Sequence, residues 1–262
     1  MLFLGDIGRT KTRIAVSLDG QTIGEPIIRP TPTDFHQGLN LIKELFETFN
    51  QGEKREGLCL GVSRKVWPGA PLKPELEETF GGPVYLENDA ALGGLGEAIY
   101  GAGRDHQIVA YLTVSTGVGG AKIDHGTIAT NAFGFEPGQQ LIMFGDESRT
   151  LEDLVSGTAV EAKFGQPPHN ITDEKIWQEL SEYLTIGLVN TLVHWSPECL
   201  ILGGSMFKTP GFEIEKLEKL LTTRLTIFPH LPIIKLAELG EASGLYGALI
   251  YLRKILSTDL AF

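Results

Sequence analysis

The run Tyr85-Leu86-Glu87-Asn88-Asp89-Ala90, with Leu95-Gly96-Glu97 and Gly101-Ala102-Gly103 behind it, decides how this chain folds. Residues 83–86 read as a short apolar strand that ends abruptly in an amide and a carboxylate. The small residues and Ala/Leu spacing that follow predict a helix starting at Asn88 or Asp89. Asn and Asp are favoured at a helix start because their side-chain oxygens satisfy free backbone N–H groups. A carboxylate at the mouth of a strand can also act as a base on a bound substrate. These residues alone leave both readings open.

Working outward, the N-terminal side reads as strand 2–4, a turn at Gly5-Asp6-Ile7-Gly8, and a second strand over 12–18. Asp19-Gly20 is a hairpin signal leading to a third strand over 22–28. A Pro-rich loop precedes helix 35–50, whose apolar spacing is Leu39, Ile42, Leu45, Phe46 and Phe49. Strand 58–62, loop 63–74 and short helix 75–80 complete this half. The pattern then starts again. Strand 108–114 ends in Ser115-Thr116-Gly117-Val118-Gly119-Gly120, and the chain continues through 121–123 to a turn at Asp124-His125-Gly126. Helices over 151–164 (with Thr150 as a cap) and 173–195, strand 199–202, helix 214–225, strand 233–236 and helix 243–256 follow. Two halves that each open on strand, Gly-rich turn and strand predict an α/β protein of two similar lobes with a cleft between them. The expected division is 1–103 and 104–245, with 246–262 returning to complete the first lobe.

Composition narrows the function classes. The 262 residues suffice for two cores, and 42% hydrophobic with 21% charged residues is ordinary for a soluble globular protein. The formal charge of −11 argues against nucleic acid or an anionic membrane as the main partner. Cys59 and Cys199 lie in apolar runs, which fits reduced, buried thiols in a cytoplasm and leaves too few cysteines for a Cys-based zinc site. The N-terminal apolar run breaks at Gly5-Asp6, so no signal peptide is expected, and no apolar run is long enough for a membrane span.

Gly5-Asp6-Ile7-Gly8-Arg9-Thr10-Lys11 gathers glycines, a carboxylate and a hydroxyl in one turn. Glycine lets backbone N–H groups converge on an anion, and Asp6 could hold Mg²⁺ through its water shell. A plain hairpin turn accounts for the segment equally well. The second turn, with Thr116, Gly117 and Gly119, repeats the device in the other half, and the pair is stronger than either alone. Neither fits the P-loop, and no G-x-G-x-x-G opens a helix after the first strand.

Taken in order, these segments resemble a sugar kinase of the ROK family, in the actin-like ATPase superfamily (a ribonuclease H-like fold). Asp6-Ile7-Gly8-Arg9-Thr10-Lys11 resembles the family's first phosphate motif, and Glu87-Asn88-Asp89-Ala90 with its downstream glycines resembles its catalytic segment. Thr116 to Gly120 is similar to the second phosphate motif. Glu136-Pro137-Gly138-Gln139 stands where the family has Glu-x-Gly-His, Glu152 with Ser156-Gly157 matches Glu-x-x-x-Ser-Gly, and Leu202-Gly203-Gly204-Ser205 resembles the adenosine motif. The resemblance implies ATP- and Mg²⁺-dependent phosphorylation of a hexose or N-acetylhexosamine hydroxyl. Asp89 is then the base, and Asn88, Asp89, Glu136, Gln139 and Glu152 bind the sugar. Asp6, Gly8, Arg9, Thr10, Lys11, Thr116, Gly117, Gly119, Gly203 and Gly204 serve the nucleotide, with Asp6 facing the metal through water. Family members are often dimers; the residues themselves carry no independent signal for a homodimer.

The departures from the pattern bear on substrate choice. The family's zinc-binding His is Gln139, and 140–151 lacks the cysteines that would join it, so no zinc is expected. Arg9 replaces the second glycine of the first motif, where it could screen phosphate or block its approach. The loop carrying Trp67 is shortened; the indole reads either as a sugar platform or as a packed lobe aromatic.

Overall fold

The computed structural model describes residues 1–49, 52, 54–143 and 148–259. Asn50 at the end of the expected helix 35–50, residues 144–147 in the stretch without cysteines, and residues 260–262 of the expected returning segment lie outside these.

The chain divides into two compact units, Met1–Gly96 with Glu241–Phe262, and Glu97–Gly240. The first is built on a five-stranded sheet from β1 (Leu2–Ile7), β2 (Lys11–Ser17), β3 (Ile27–Pro30), β4 (Gly57–Val62) and β5 (Val84–Glu87). Their order is β3-β2-β1-β4-β5. β1 pairs antiparallel with β2 and parallel with β4. β1 runs on through the turn expected at residues 5–8, and the real turn is residues 8–10. Gly5 is a packing glycine: a Cβ there would sit 2.3 Å from Leu60 Cδ2. The third strand also begins later than expected. Asp19 Oδ1 accepts from the N–H groups of Gln21 and Thr22 at 2.8 Å each, which holds those residues in a turn of their own.

Helix α1 (Phe35–Phe49) covers this sheet with Leu39, Ile42, Leu45 and Phe46 buried. Phe3, Phe46 and Phe80 meet edge to face, with centroids 5.2 to 5.5 Å apart. Helix α2 (Leu72–Phe80) leads into β5, and α3 (Asp89–Ile99) leaves it.

The second unit repeats the plan with β6 (Ile108–Val114), β7 (Val118–Asp124), β8 (Thr127–Ile128), β11 (Cys199–Gly203) and β12 (Ile233–Leu236); β9 (Leu141–Met143) and β10 (Arg149–Thr150) form a small separate ribbon. The order is β12-β11-β6-β7-β8, so the hairpin β6–β7 stands where β1–β2 stands, and β11 where β4 stands. β6 is antiparallel to β7 and parallel to β11, as in the first unit. The helix expected over 151–164 is two, α4 (Leu151–Val155) and α5 (Gly157–Phe164). Thr150 caps the first in a capping box with Asp153, and Ser156 breaks the run to cap the second through the Ala159 N–H. α6 (Glu174–Trp195) buries Leu180, Leu184, Leu188 and Leu192 in the core of this unit beside α7 (Ile214–Arg224).

Helix α8 (Ser243–Asp259) packs on β1 and β4. Its contact with α3 needs glycines, because a Cβ at Gly247 would lie 1.9 Å from Leu92 O and one at Gly96 2.2 Å from Ser243 O. Cys59 and Cys199 are free and buried, and burial pushes both thiols up, Cys199 to about 11. Among the described residues no helix is long and apolar enough to cross a membrane.

Candidate active site

In the first unit the site starts from two neighbouring strand ends. Asp6 lies opposite Arg13 in the β1–β2 register. Arg13 Nη1 donates to Asp6 Oδ2 at 3.0 Å, and Nη2 donates to Glu241 Oε2 at 2.7 Å. Both partners of the first pair are largely buried, with 13% and 16% of their side chains exposed, whereas Glu241 is half exposed. Asp6 is raised from 3.8 to about 6, first by burial, which the Arg13 charge opposes and the neighbouring Asp89 and Glu241 charges reinforce. A Cβ at Gly244 of α8 would come within 3.1 Å of Asp6 Cγ, so glycine is what lets that helix approach.

The turn itself is fixed by hydrogen bonds. Gly8 N–H donates to Lys11 O at 3.0 Å, Thr31 Oγ1 donates to Gly8 O at 2.7 Å, and the Thr31 N–H reaches Thr10 O at 3.2 Å. Arg9, Thr10 and Lys11 are exposed, and Lys11 Nζ lies 3.4 Å from Glu241. Glycine is not sterically required at residue 8, where a Cβ would meet only Lys11 O at 3.5 Å.

Asn88 is the helix cap: its Oδ1 accepts from Ala91 N–H at 3.0 Å. Asp89 opens α3 one residue later, and its Oδ1 accepts from Ala90 N–H at 2.9 Å. A Cβ at Gly61 would come 3.2 Å from Asp89 Cα, so the end of β4 abuts the backbone of that residue. Asp6 and Asp89 thus share the carboxyl end of the β1-β4-β5 sheet, where open α/β sheets bind ligands.

Trp67 packs within its lobe. Its Nε1 donates to Pro32 O at 3.0 Å, its ring stands 6.0 Å from Phe35, and a Cβ at Gly38 would fall 1.9 Å from it.

In the second unit, Thr116 and Gly117 form the β6–β7 turn, closed by Ser115 N–H to Gly117 O at 2.8 Å, and Gly119 follows in β7. The start of α5 holds this turn through Gly157 N–H to Ser115 O at 2.7 Å and Thr158 Oγ1 to Thr116 O at 2.8 Å. Glu152 Oε2 accepts from Val118 N–H at 2.9 Å, and a Cβ at Gly117 would lie 2.6 Å from the same oxygen. Gly204 has φ of 99°, and a Cβ there would lie 2.2 Å from Val114 O, so only glycine fits beside the turn. Gly203 ends β11 just before it. Ser205 Oγ pairs with Ser115 Oγ at 3.0 Å.

Glu136 and Gln139 are exposed at either end of the short turn Pro137–Gln139, whose Gly138 sits against Val118. A cavity of about 520 Å³ is lined by Glu136, Gln140, Asn190, Thr191, His194 and Trp195 among others; Gln139 and Glu152 are not in its lining. The structure therefore gathers Thr116, Gly117, Glu152 and Gly204 around one turn, while Glu136 turns to α6. Reading the sequence alone missed Arg13, Glu241 and the α6 residues. Arg13 was legible in principle, since a hairpin turning at 8–10 sets it opposite Asp6.

The model of the ROK family matches residues 5–255, and the chain belongs to that family. It is 28% identical over 195 residues to a fructokinase of Lactococcus lactis subsp. cremoris, an alignment covering 70% of this chain and 66% of that protein. A fructokinase of Pediococcus pentosaceus is 25% identical over 280 residues, covering 95% of this chain and 97% of the relative. The solved structure of a ROK hexokinase from Thermus thermophilus superposes with a TM-score of 0.82 at 25% identity, covering 98% of this chain and 99% of that one. The two mixed sheets with their helices are the actin-like ATPase fold of that family.

Proposed function

We propose that this chain is an ATP- and Mg²⁺-dependent sugar kinase that transfers the γ-phosphoryl group to a hydroxyl of a hexose or N-acetylhexosamine, with Asp89 as the base. The observation that carries this reading is the division of labour at the start of α3. Asn88 takes the capping bond from Ala91, and the Asp89 carboxylate, whose Oδ1 accepts from Ala90 N–H, stands at the sheet's carboxyl end near Asp6. The relatives named fructokinase and hexokinase support the choice of reaction.

An ordinary carboxylate is far too weak to deprotonate a sugar alcohol beforehand. Asp89 orients the hydroxyl and takes its proton as charge moves onto the phosphoryl group. Asn88, Glu136, Gln139 and Glu152 bind neighbouring hydroxyls. The Arg9–Lys11 and Thr116–Gly119 turns receive the phosphates, and Gly203-Gly204 gives the adenosine a close backbone. Asp6 is a hard oxygen donor and fits an ion that keeps most of its water and takes its other ligands from phosphates. When bound, Mg²⁺ would offset the negative charge of those phosphates.

Incubation of the purified chain with ATP, Mg²⁺ and a panel of hexoses and N-acetylhexosamines should release ADP. Asp89→Asn should lower that release by about a thousandfold. Turnover no higher than the Asp89→Asn background across the panel overturns the proposal. Calorimetric binding of sugar or nucleotide without ADP release would instead favour a non-catalytic binding protein, a reading for which Arg9 in the first turn speaks.

A further inference from the structure

Arg13 belongs to none of the motifs, yet it links two acidic groups of the first unit. Its guanidinium bridges Asp6 Oδ2 at 3.0 Å and Glu241 Oε2 at 2.7 Å. Its Nε is buried without a hydrogen-bond partner, so the two terminal nitrogens do the bridging. The head group carries its charge against the oxygen that a metal-facing Asp6 would offer. Asp89 and Glu241 are the other carboxylates whose charge reaches Asp6. Without Arg13, the Asp6, Asp89 and Glu241 carboxylates would face only the Lys11 ammonium that reaches Glu241, and such a net negative, half-desolvated patch attracts divalent cations on its own.

We propose that Arg13 is the resident counter-ion of Asp6, a positioning residue that keeps a divalent cation from settling on the apoprotein. The metal then enters as a complex with the nucleotide phosphates, whose charge outweighs the guanidinium. The inference rests on the reading of Asp6 as the carboxylate that faces the metal. It does not depend on which sugar is phosphorylated, or on turnover.

The test uses Mn²⁺ alone, titrated into the full chain at low ionic strength and followed by the loss of the free-ion EPR signal. The wild-type chain and Arg13→Lys, which keeps the positive charge, should bind Mn²⁺ weakly. Arg13→Gln should bind it at least about tenfold more tightly, and adding Asp6→Asn to Arg13→Gln should remove the gain. In the presence of ADP the wild-type chain should bind Mn²⁺ tightly. Tight binding of Mn²⁺ to the wild-type chain without nucleotide overturns the proposal, and that arm needs no variant to fold. So does unchanged affinity in a folded Arg13→Gln, or a gain that survives Asp6→Asn. Failure of the kinase reading would show instead in the ADP-release assay, which none of these arms uses.

Discussion

Asp6 and Glu97 are both carboxylates removed from water, and the molecule holds them in opposite ways. Glu97 is fully buried and is held by backbone. Its Oε2 accepts from Ala102 N–H at 3.1 Å and Glu238 N–H at 3.0 Å, and its Oε1 from Leu239 N–H at 2.8 Å. Asp6 is held by a side chain, the Arg13 guanidinium, with two further carboxylates nearby. Backbone donors are placed by the fold and cannot rotate away, whereas a guanidinium on a long side chain can be displaced by a competing charge. One arrangement suits a permanent fastening. The other suits the proposed role of Asp6, a group that changes partners when phosphate and metal arrive. The difference also explains the Gly101-Ala102-Gly103 motif behind α3, since a Cβ at Gly101 would fall 2.0 Å from Glu97 Oε2.

The largest effect expected is therefore at the fastening. Glu97→Ala strips the acceptor from the buried Ala102 N–H and from the part-buried Glu238 and Leu239 N–H groups; at up to about 1–3 kcal/mol each, a loss on the order of 4 kcal/mol is expected. Glu97→Gln keeps one acceptor and should cost about half as much. Urea unfolding of the two variants measures this directly. A loss below about 1 kcal/mol for Glu97→Ala would mean that water replaces the carboxylate, and the contrast with Asp6 would fail.

Asp6 makes an intermediate and pH-dependent prediction. Its folded value of about 6 lies above the 3.8 of an unperturbed Asp, so the folded state binds the proton more tightly than the unfolded chain does. The stability this contributes is complete below about pH 4 and is lost as pH rises through about 6, up to roughly 3 kcal/mol in all. Asp6→Asn has no such titration. In metal-free buffer the stability of Asp6→Asn relative to wild type should improve between pH 4 and pH 7.5 by about that amount. A difference that stays flat over this range would show that Arg13 fully offsets the burial of Asp6.

Much of this was legible in the chain, for physical reasons that can be named. The duplicated strand–turn–strand openings follow from period-two alternation and glycine placement, and they mark the paired hairpins β1–β2 and β6–β7. The sequence motifs likewise marked Asn88-Asp89 as the start of a helix. What escaped was the partner of each charge. Arg13 was hidden because Gly5 was read as a bend when it is a strand residue making room for Leu60. Glu241 lies more than two hundred residues from Arg13 in the chain, and no local pattern links them. Glu152 was legible as a motif residue, but not its bond to the Val118 N–H, which depends on how α4 packs beside β7. Trp67 shows the same limit: only the Gly38 face of α1 decides that the indole is packed.

The smallest effect should come from the outer end of the Asp6 arrangement. Glu241 pairs with Arg13 at 2.7 Å and Lys11 at 3.4 Å, but 51% of its side chain is exposed. Its hydrogen bond from Arg13 lowers its pKa, so its contribution is present above the usual carboxylate range and fades as pH falls through it. Water and salt screen such a pair, so Glu241→Gln should cost less than about 1 kcal/mol. That cost should nearly vanish in about 1 M salt, where the screening length is only ~3 Å. Thermal melts of wild type and Glu241→Gln at low and high salt measure the difference. A larger, salt-insensitive loss would place Glu241 with Glu97 as part of the permanent fastening, and Arg13 would then be anchored too firmly at its outer end to yield Asp6 to an incoming metal.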